Sequence, residues 1–333
     1  MIKPKTSFSF FALCFFYKIP PVDSFAATSV TKPLFVPTET IWTPSKEHGV
    51  EIELPNFDVL FDRIAQVSPL ARMALEGREG GLSSVDNKNE QLKWKILEKH
   101  DAKKMVPVHE IHKIDNFMNL GSPMLRFRTS IEGPCLGDRF ANFIMDFEER
   151  KQWDKQIEAV EELYPINDVA AANMVMGFKF GECSRLGLGY SATKPNFVAS
   201  GREQLTLCGL QEIPSTGASL VWGTEMEDQH NHLLPSVPRR ERARSYLFST
   251  ALVPTGENTF DVEYCLQMDC GGNIPAFMTT PVLLETVKSL FSHAKKFYKG
   301  GKGSALEKFM EEMRQKEDLE QDVIMDRKGL LHP

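Results

Sequence analysis

The sequence predicts an α+β fold in which one curved antiparallel sheet packs against a long C-terminal helix. From about Trp94 onward the apolar residues follow a period of two. The clearest case is 260–268, where Phe260, Val262 and Tyr264 alternate with polar residues. That period is typical of strands with one buried face. Near the C-terminus the period becomes helical, and the apolar stripe of such a helix must be buried, for which the concave face of the sheet is the obvious partner.

Several strands are predicted in succession, which favours an antiparallel arrangement. Apolar residues also alternate with basic or polar ones at 125–131. A helix is predicted at 138–147, and a second charged segment follows it at 148–162. Weaker strand candidates lie at 204–213, 219–226 and 243–253.

The C-terminal helix has predicted signals at both ends. Thr280 provides a capping residue and Pro281 a first-turn proline. Lys295 and Lys296 fall in the expected last turn, before the two glycines at 300–301. The charged tail that follows is expected to form a solvated helix. The apolar positions at helical spacing are Leu283, Val287, Leu290, Phe291, Ala294 and Phe297.

The chain before the first strand is expected to contain a removable leader. Residues 1–24 have a basic start, a short apolar core and small residues at the end, as secretory signal peptides do. The alternative is a buried N-terminal helix. Residues 25–38 contain no acidic residue, which resembles an organelle transit peptide and a bipartite plastid leader. The alternative destinations are secretion and the ER lumen.

Residues 57–74 have apolar positions at helical spacing, interrupted by Pro69, which predicts one or two short helices. A Gly- and Ser-rich linker follows them. The predicted divisions are a signal peptide at 1–24, a transit-like segment or linker at 25–55, N-terminal helices and linker at 56–91, the main domain at 92–299 and a charged helical tail at 300–333.

Composition excludes several classes of protein. The 333 residues include 39 basic and 45 acidic ones, which gives a net charge of 39 − 45 = −6, and 42% are hydrophobic. Such a balance is that of a soluble globular protein, and the acidic charge argues against nucleic acid as a partner. The longest apolar stretch, at 8–17, is about half of the ~20 residues that a membrane-spanning helix needs.

The sequence identifies no catalytic residue, no metal ligand set and no cofactor. The pairs His109/His112 and His230/His232 lack a third metal ligand nearby. The two glycines within 187–189 lack the third one of a dinucleotide fingerprint. None of the six cysteines forms a C-x-x-C pair, which indicates neither a disulfide framework nor a zinc site.

Three motifs carry a resemblance to a known family. Arg-Lys-Gln-Trp-Asp occupies 150–154, Gly-Gly-Asn-Ile-Pro-Ala-Phe occupies 271–277, and Trp-Lys-Ile-Leu-Glu-Lys occupies 94–99. In this order and spacing they resemble the START (StAR-related lipid-transfer) family, and most closely a phosphatidylcholine-carrying member of it. The resemblance covers 92–299, which is 208 of the 333 residues.

The resemblance implies a helix-grip fold, in which the curved sheet wraps around the C-terminal helix and encloses a lipid-sized tunnel. It also implies binding and transfer of one lipid without catalysis, with transient contact with a membrane surface. A phospholipid is the expected cargo, and a sterol is the alternative. In this family pattern Trp153 and Asp154 belong to the structural motif.

Three residues are predicted to bind the lipid. Arg150 matches an arginine that contacts lipid phosphate in the family, and a guanidinium suits phosphate because its planar fork donates two hydrogen bonds. The alternative is an ion pair between Arg150 and a carboxylate. Tyr246 matches an aromatic residue of a choline cage. Gln204 replaces a second cage aromatic, and a segment at 181–200 looks inserted, so the expected cargo is a lipid rather than phosphatidylcholine specifically.

The C-terminal helix and the turn before it are expected to form a lid whose exposed apolar residues touch the bilayer. Two rival functions remain open. One is an enzyme on the same scaffold, such as a cyclase or lipid hydrolase, and the other is a lipid sensor that recruits a partner through 304–333. The predicted lid residues are Gly271, Gly272, Asn273, Ile274, Pro275, Phe277, Leu283, Leu284 and Val287.

Overall fold

A computed structural model describes residues 40–43, 50–53, 55–85, 92–99, 108–165, 180–195, 200–226, 228–234, 240–272 and 274–315. The predicted signal peptide, most of the transit-like segment, Asn273 and the end of the charged tail lie outside the described residues. A short antiparallel hairpin comes first, formed by β1 (Thr40–Thr43) and β2 (Val50–Glu53).

One large sheet forms the body of the described chain. Its strand order is β3-β4-β5-β12-β11-β9-β8-β7-β6, every neighbouring pair in that order is antiparallel, and β10 pairs with β8 in parallel. All five strands predicted by alternation are confirmed. The strands are β3 (Lys95–Lys99), β4 (Glu110–Ile114), β5 (Met124–Glu132), β6 (Ile157–Pro165), β7 (Glu182–Thr193), β8 (Arg202–Ile213), β9 (Ala218–Glu225), β10 (Glu241–Arg242), β11 (Arg244–Gly256) and β12 (Thr259–Asp269).

Both faces of the sheet are covered, each by its own hydrophobic cluster. The long helix α5 (Ala276–Tyr298) and α3 (Gly137–Met145) pack on one face, here called the inner face. The helices α1 (Phe57–Val67) and α2 (Pro69–Leu75) pack on the opposite, outer face. The fold is therefore the expected α+β helix-grip arrangement, with the N-terminal helices as an integral second layer.

Because the outer face is covered, the expectation of a single buried face was wrong for the clearest strand, β12. Its outward-facing Glu263 is fully buried beneath the junction of α1 and α2. There the carboxylate accepts hydrogen bonds from Arg128 Nε at 2.5 Å, Ser68 Oγ at 2.6 Å and the Leu70 backbone N–H at 3.0 Å. Burial alone would raise the pKa of Glu263, but Arg128 and Arg126 hold it below its ordinary value. This network attaches the N-terminal helices to the sheet.

The C-terminal helix begins earlier than predicted. Pro275 precedes its first residue, and Pro281 lies inside the helix rather than in its first turn. A proline has no N–H to donate to the carbonyl four residues earlier, so one early helical hydrogen bond is missing at Phe277. The predicted end is confirmed, because the helix stops at Tyr298 with Lys295 and Lys296 in its last turn.

Two other segments differ from their predictions. The charged segment at 148–162 is divided between a short helix, α4 (Phe147–Arg150), and the start of β6. The segment at 181–200 is not an insertion, because most of it forms β7 in the middle of the β6–β7–β8 ladder. Its glycines interrupt the apolar alternation that would have predicted a strand.

The chain continues beyond the C-terminal helix as a short helical segment at 305–315. Leu306 and Phe309 pack partly against the inner cluster, and the ring of Phe309 lies 5.9 Å from that of Phe297. The beginning of the predicted solvated tail is therefore attached to the domain. Among the described residues, none of the helices has the length and apolar character required to cross a membrane.

Candidate ligand-binding cavity

Two adjoining cavities lie on the inner face of the sheet. The helix cavity, beneath the C-terminal helix, includes about 760 Å³ of space, part of it open to solvent, and is lined by Leu283, Val287 and Leu290 of that helix. The strand cavity includes about 530 Å³, also partly open to solvent, and extends towards Val160 and Gly187 on β6 and β7. The two share five lining residues, which mark where they meet: Ile144, Arg150, Ser191, Gln204 and Phe248.

Apolar side chains supply most of the far wall of the helix cavity. Leu266 and Met268 come from β12, and Phe248 comes from β11. The ring of Phe248 lies over Gly223 of the neighbouring strand, where a Cβ atom would be 2.1 Å from the ring. Glycine is therefore required at that position for the cavity wall to have this shape.

Arg150 lies at the junction of the two cavities. Its Nε donates to Asp154 Oδ2 at 3.2 Å, and one terminal nitrogen donates to the Ile144 carbonyl at 3.4 Å. Its side chain is 17% exposed, against 5% for Asp154. The two interpretations of this arginine are therefore compatible, since it pairs with a carboxylate and also lines both cavities.

The predicted structural motif around Trp153 fixes the position of Arg150. The indole Nε1 donates to the Phe143 carbonyl at 2.8 Å, which joins the motif to α3. Asp154 also accepts a hydrogen bond from the Gln156 backbone N–H at 3.1 Å. On the other side, Ser289 of the C-terminal helix donates to the Trp153 carbonyl at 2.8 Å. The motif thus connects the guanidinium to the helix above the cavity.

Gln204 lines both cavities, as expected of a ligand-binding residue. Its Nε2 donates to Ser191 Oγ at 2.7 Å, and the two residues are directly paired across β7 and β8. Thr206 lies two residues further along β8, and its side chain also lines the strand cavity. Sequence reasoning missed Ser191 and Thr206, because a lone hydroxyl in a strand gives no signal.

Tyr246 is not among the residues that line either cavity, although the sequence placed it in a choline cage. The β11–β12 pairing shifts register between Ser245 and Leu247, so Tyr246 is the extra residue of a bulge. A bulge redirects the side chains around it, and it is Ser245 that lines the helix cavity. Burial, with Asp269 nearby, raises the pKa of Tyr246.

Three further lining residues were not predicted. Arg185 of β7 borders the strand cavity and donates to Asn142 Oδ1 at 3.0 Å. Tyr190 borders the same cavity and accepts a hydrogen bond from Arg240. Tyr264 lines the helix cavity, where burial raises the pKa of its hydroxyl. Reading β7 as a strand would have identified Arg185, since it shares a face with the glycines at 187 and 189.

The turn before the C-terminal helix has an unusual backbone. Gly271 and Gly272 both have φ of +68°, and a Cβ atom on Gly271 would be 2.2 Å from the Arg242 carbonyl oxygen. Arg202 Nε donates to the Cys270 carbonyl at 2.7 Å, so the turn is attached to the start of β8. Ile274 is half-buried and Pro275 is exposed. The turn therefore depends on glycine and on one arginine contact.

The predicted lid residues divide into two groups. Phe277 is 76% exposed and Met278 is 45% exposed, as expected of residues that face outward. Leu283 and Leu284 were expected to be exposed as well, but both are half-buried and pack against the inner cluster. Val287 is buried and lines the helix cavity. Large apolar side chains are therefore exposed to solvent at the start of the helix, where Val282 is 44% exposed in addition to Phe277 and Met278.

The middle of the C-terminal helix is attached to the sheet by an ion pair. Lys288 Nζ lies 2.8 Å from Glu98 Oε1 on the edge strand β3. Burial lowers the pKa of Lys288, but its hydrogen bonds to Glu98 and Glu285 raise it above the ordinary value. Together with Ser289, this contact holds the helix from its middle onward.

These features define a helix-grip domain with an internal, mainly apolar cavity that has a cationic and polar group at its centre. No family model matches the sequence, and no curated protein matches it. Solved structures with similar folds include START proteins, the family that the motifs in the sequence resemble.

Human StAR-related lipid transfer protein 5 aligns over 71% of this chain and 97% of its own, with 13% identity and a TM-score of 0.48. Human STARD10 aligns over 62% of this chain and 76% of its own, with 14% identity and a TM-score of 0.46. The lipid transfer and protein localization domain of human StarD13 aligns over 68% of this chain and 94% of its own, with 11% identity and a TM-score of 0.45. The closer resemblance to a phosphatidylcholine carrier is not confirmed.

Proposed function

We propose that the protein binds one lipid between the sheet and the C-terminal helix and carries it between membranes. The observation that supports this proposal best is the pair of adjoining cavities with mainly apolar walls, which meet at Arg150 and Gln204. An elongated amphiphile fits two connected cavities better than a compact metabolite does.

The apolar walls provide the driving force for binding. Burying one sixteen-carbon chain is worth about 12 kcal/mol at ~0.8 kcal/mol per CH₂. A carrier must supply a comparably dry environment, or the lipid would stay in its bilayer. Leu266, Leu283 and Leu290 supply such an environment in the helix cavity.

Arg150 is the proposed partner of a lipid phosphate. Its charge is balanced by Asp154, so the guanidinium is not an uncompensated cation in a mainly apolar cavity. A phosphodiester at the cavity junction would share the remaining donors of the fork. The lipid chains would then extend under the C-terminal helix.

Cargo entry requires the cavity to open, and we propose that the first turns of the C-terminal helix move. Pro281 weakens the hydrogen bonding of these turns, and the glycines at 271–272 allow the preceding turn to change direction. Lys288 and Ser289 would keep the rest of the helix in place. The exposed Phe277 and Met278 would insert into the membrane interface during exchange.

Filling the helix cavity tests binding. Val287→Trp should reduce lipid loading at least tenfold, because the indole would occupy the space beneath the helix. Loading is measured by native mass spectrometry after incubation with phospholipid vesicles. Ser292→Trp provides the matched control, since residue 292 lies on the same helix and is exposed. Loading of the folded Val287→Trp variant at the wild-type level would contradict the assignment of the cavity.

Charging the first turn tests the lid. Phe277→Asp combined with Met278→Asp should slow lipid transfer between vesicles by about tenfold or more, because the charges oppose insertion into the interface. Val59→Asp on α1 is the control, as Val59 is 42% exposed on a different element. An unchanged transfer rate in the double variant would refute the lid, whether or not the protein still binds lipid.

A further inference from the structure

A strip of neutral polar groups crosses the mainly apolar cavity wall. It consists of Ser191 on β7 with Gln204 and Thr206 on β8, and is called the polar strip below. Ser191 and Gln204 are cross-strand partners, and Thr206 lies on the same face two residues later. The three side chains therefore form one continuous patch of amide and hydroxyl groups at the junction of the cavities.

The polar strip has hydrogen-bonding capacity that the described part of the chain does not use. Gln204 Oε1 and Thr206 Oγ1 are both buried and have no partner among the described residues. Within the strip only the contact from Gln204 Nε2 to Ser191 Oγ is made, at 2.7 Å. A buried polar atom without a partner costs about 1–3 kcal/mol, so a ligand that satisfies these atoms is favoured over one that does not.

The chemistry of the strip points to a donor in the ligand. An amide oxygen can only accept a hydrogen bond, and a threonine hydroxyl can both accept and donate. The quaternary ammonium of choline has no N–H or O–H, so it offers nothing to these atoms. A hydroxyl group both donates and accepts, and two or three neighbouring hydroxyls would match the strip.

We infer that the cavity selects lipids whose head group carries hydroxyl groups, with the polar strip as the specificity determinant. This inference rests on the proposed lipid-binding function and adds the class of head group. Glycerol, inositol and sugar head groups share the required chemistry. Arg150, adjacent at the junction, would distinguish a phosphodiester from an uncharged glycolipid.

The experiment is a competition between two lipids that differ only in hydroxyl groups. Phosphatidylglycerol and phosphatidylpropanol with identical chains have the same charge and nearly the same size. The protein is incubated with vesicles that contain both in equal amounts, and the bound lipid is quantified by native mass spectrometry. Two satisfied hydrogen bonds predict at least a tenfold preference for phosphatidylglycerol. A third arm, with an uncharged galactosyl diacylglycerol, distinguishes a sugar head group from a phosphoglycerol one.

Variants identify the strip as the source of the preference. Gln204→Leu and Thr206→Val should each reduce the preference about fivefold. Thr250→Val is the matched control. Thr250 is also buried, and its hydroxyl has no hydrogen-bond partner among the described residues, but it lines neither cavity. This variant should keep the wild-type preference.

The outcomes separate the two proposals. Equal loading of the two phospholipids by the wild-type protein would overturn the inference while leaving lipid binding intact, and this result requires no variant to fold. A preference that survives both strip substitutions would also overturn it. If none of the lipids is bound, the proposed function itself fails.

Discussion

Replacing Asp154 by asparagine tests how the arginine at the cavity junction is stabilised. The Arg150 guanidinium has a carboxylate partner, Asp154, at 3.2 Å, and the two side chains are only 17% and 5% exposed. Asparagine keeps the shape and the contact with the Gln156 backbone N–H but removes the negative charge. The variant therefore leaves a mostly buried cation without its counterion.

The expected loss follows from that burial. Removing one partner of a fully buried ion pair costs about 3–5 kcal/mol. Arg150 is partly solvated through the cavity and keeps a weak hydrogen bond to the Ile144 carbonyl, so the expected loss in free energy of unfolding is about 2–3 kcal/mol. An anionic head group in the cavity would replace the missing carboxylate. It should stabilise the variant by about 1 kcal/mol more than it stabilises the wild type.

Urea unfolding, followed by tryptophan fluorescence with and without phosphatidylglycerol vesicles, measures both effects. Glu148→Gln is the matched control, because Glu148 pairs with Lys151 in the same helical segment but at an exposed position. Glu148→Gln should lower the free energy of unfolding by less than about 0.5 kcal/mol. The reasoning would be refuted if Asp154→Asn cost no more than this control. It would also be refuted if lipid stabilised the variant and the wild type equally.

Three further predictions concern the scaffold. Glu263→Gln should lower the free energy of unfolding by about 3 kcal/mol, because it breaks the buried network beneath the N-terminal helices. A loss of less than about 1 kcal/mol, measured by urea unfolding, would contradict this prediction. Burial and the neighbouring Arg126 lower the pKa of His112 from 6.5 to about 4. The unfolded chain therefore binds the proton more tightly, and stability should fall by about 2 kcal/mol as the pH decreases from 6.5 to 4. His112→Gln should flatten that pH dependence, and an unchanged slope would exclude this histidine as its source. Gly271→Ala should lower the free energy of unfolding by about 2 kcal/mol, because alanine is strained at a φ of +68°. Thermal unfolding measures this change, and an unchanged stability would contradict the prediction.

Much of the sheet could be predicted because its strands alternate cleanly. The prediction failed where that pattern was interrupted. In β7, the neighbour of the edge strand β6, the glycines at 187 and 189 replace apolar residues on the inner face, which made this strand look like an insertion. The early start of the C-terminal helix was missed because Thr280 and Pro281 imitate a helix N-terminus.

The site was predictable only in part, and for a related reason. Arg150 and Gln204 belong to recognisable local patterns and both line the cavities. Tyr246 was misplaced because a bulge in β11 changes which side chain faces inward, and a single sequence gives no signal for a bulge. The burial of Glu263 was not predicted, because alternation shows that one face of a strand is polar but not that helices cover that face.

The most direct test of the account is the mass of the intact protein under native conditions after incubation with mixed phospholipid vesicles. We predict a single additional mass equal to one lipid, released as a lipid on denaturation and absent in the Val287→Trp variant. A protein that stays at its polypeptide mass in every lipid mixture, while retaining its native fold, would contradict the claim that the cavity between the sheet and the C-terminal helix holds a lipid.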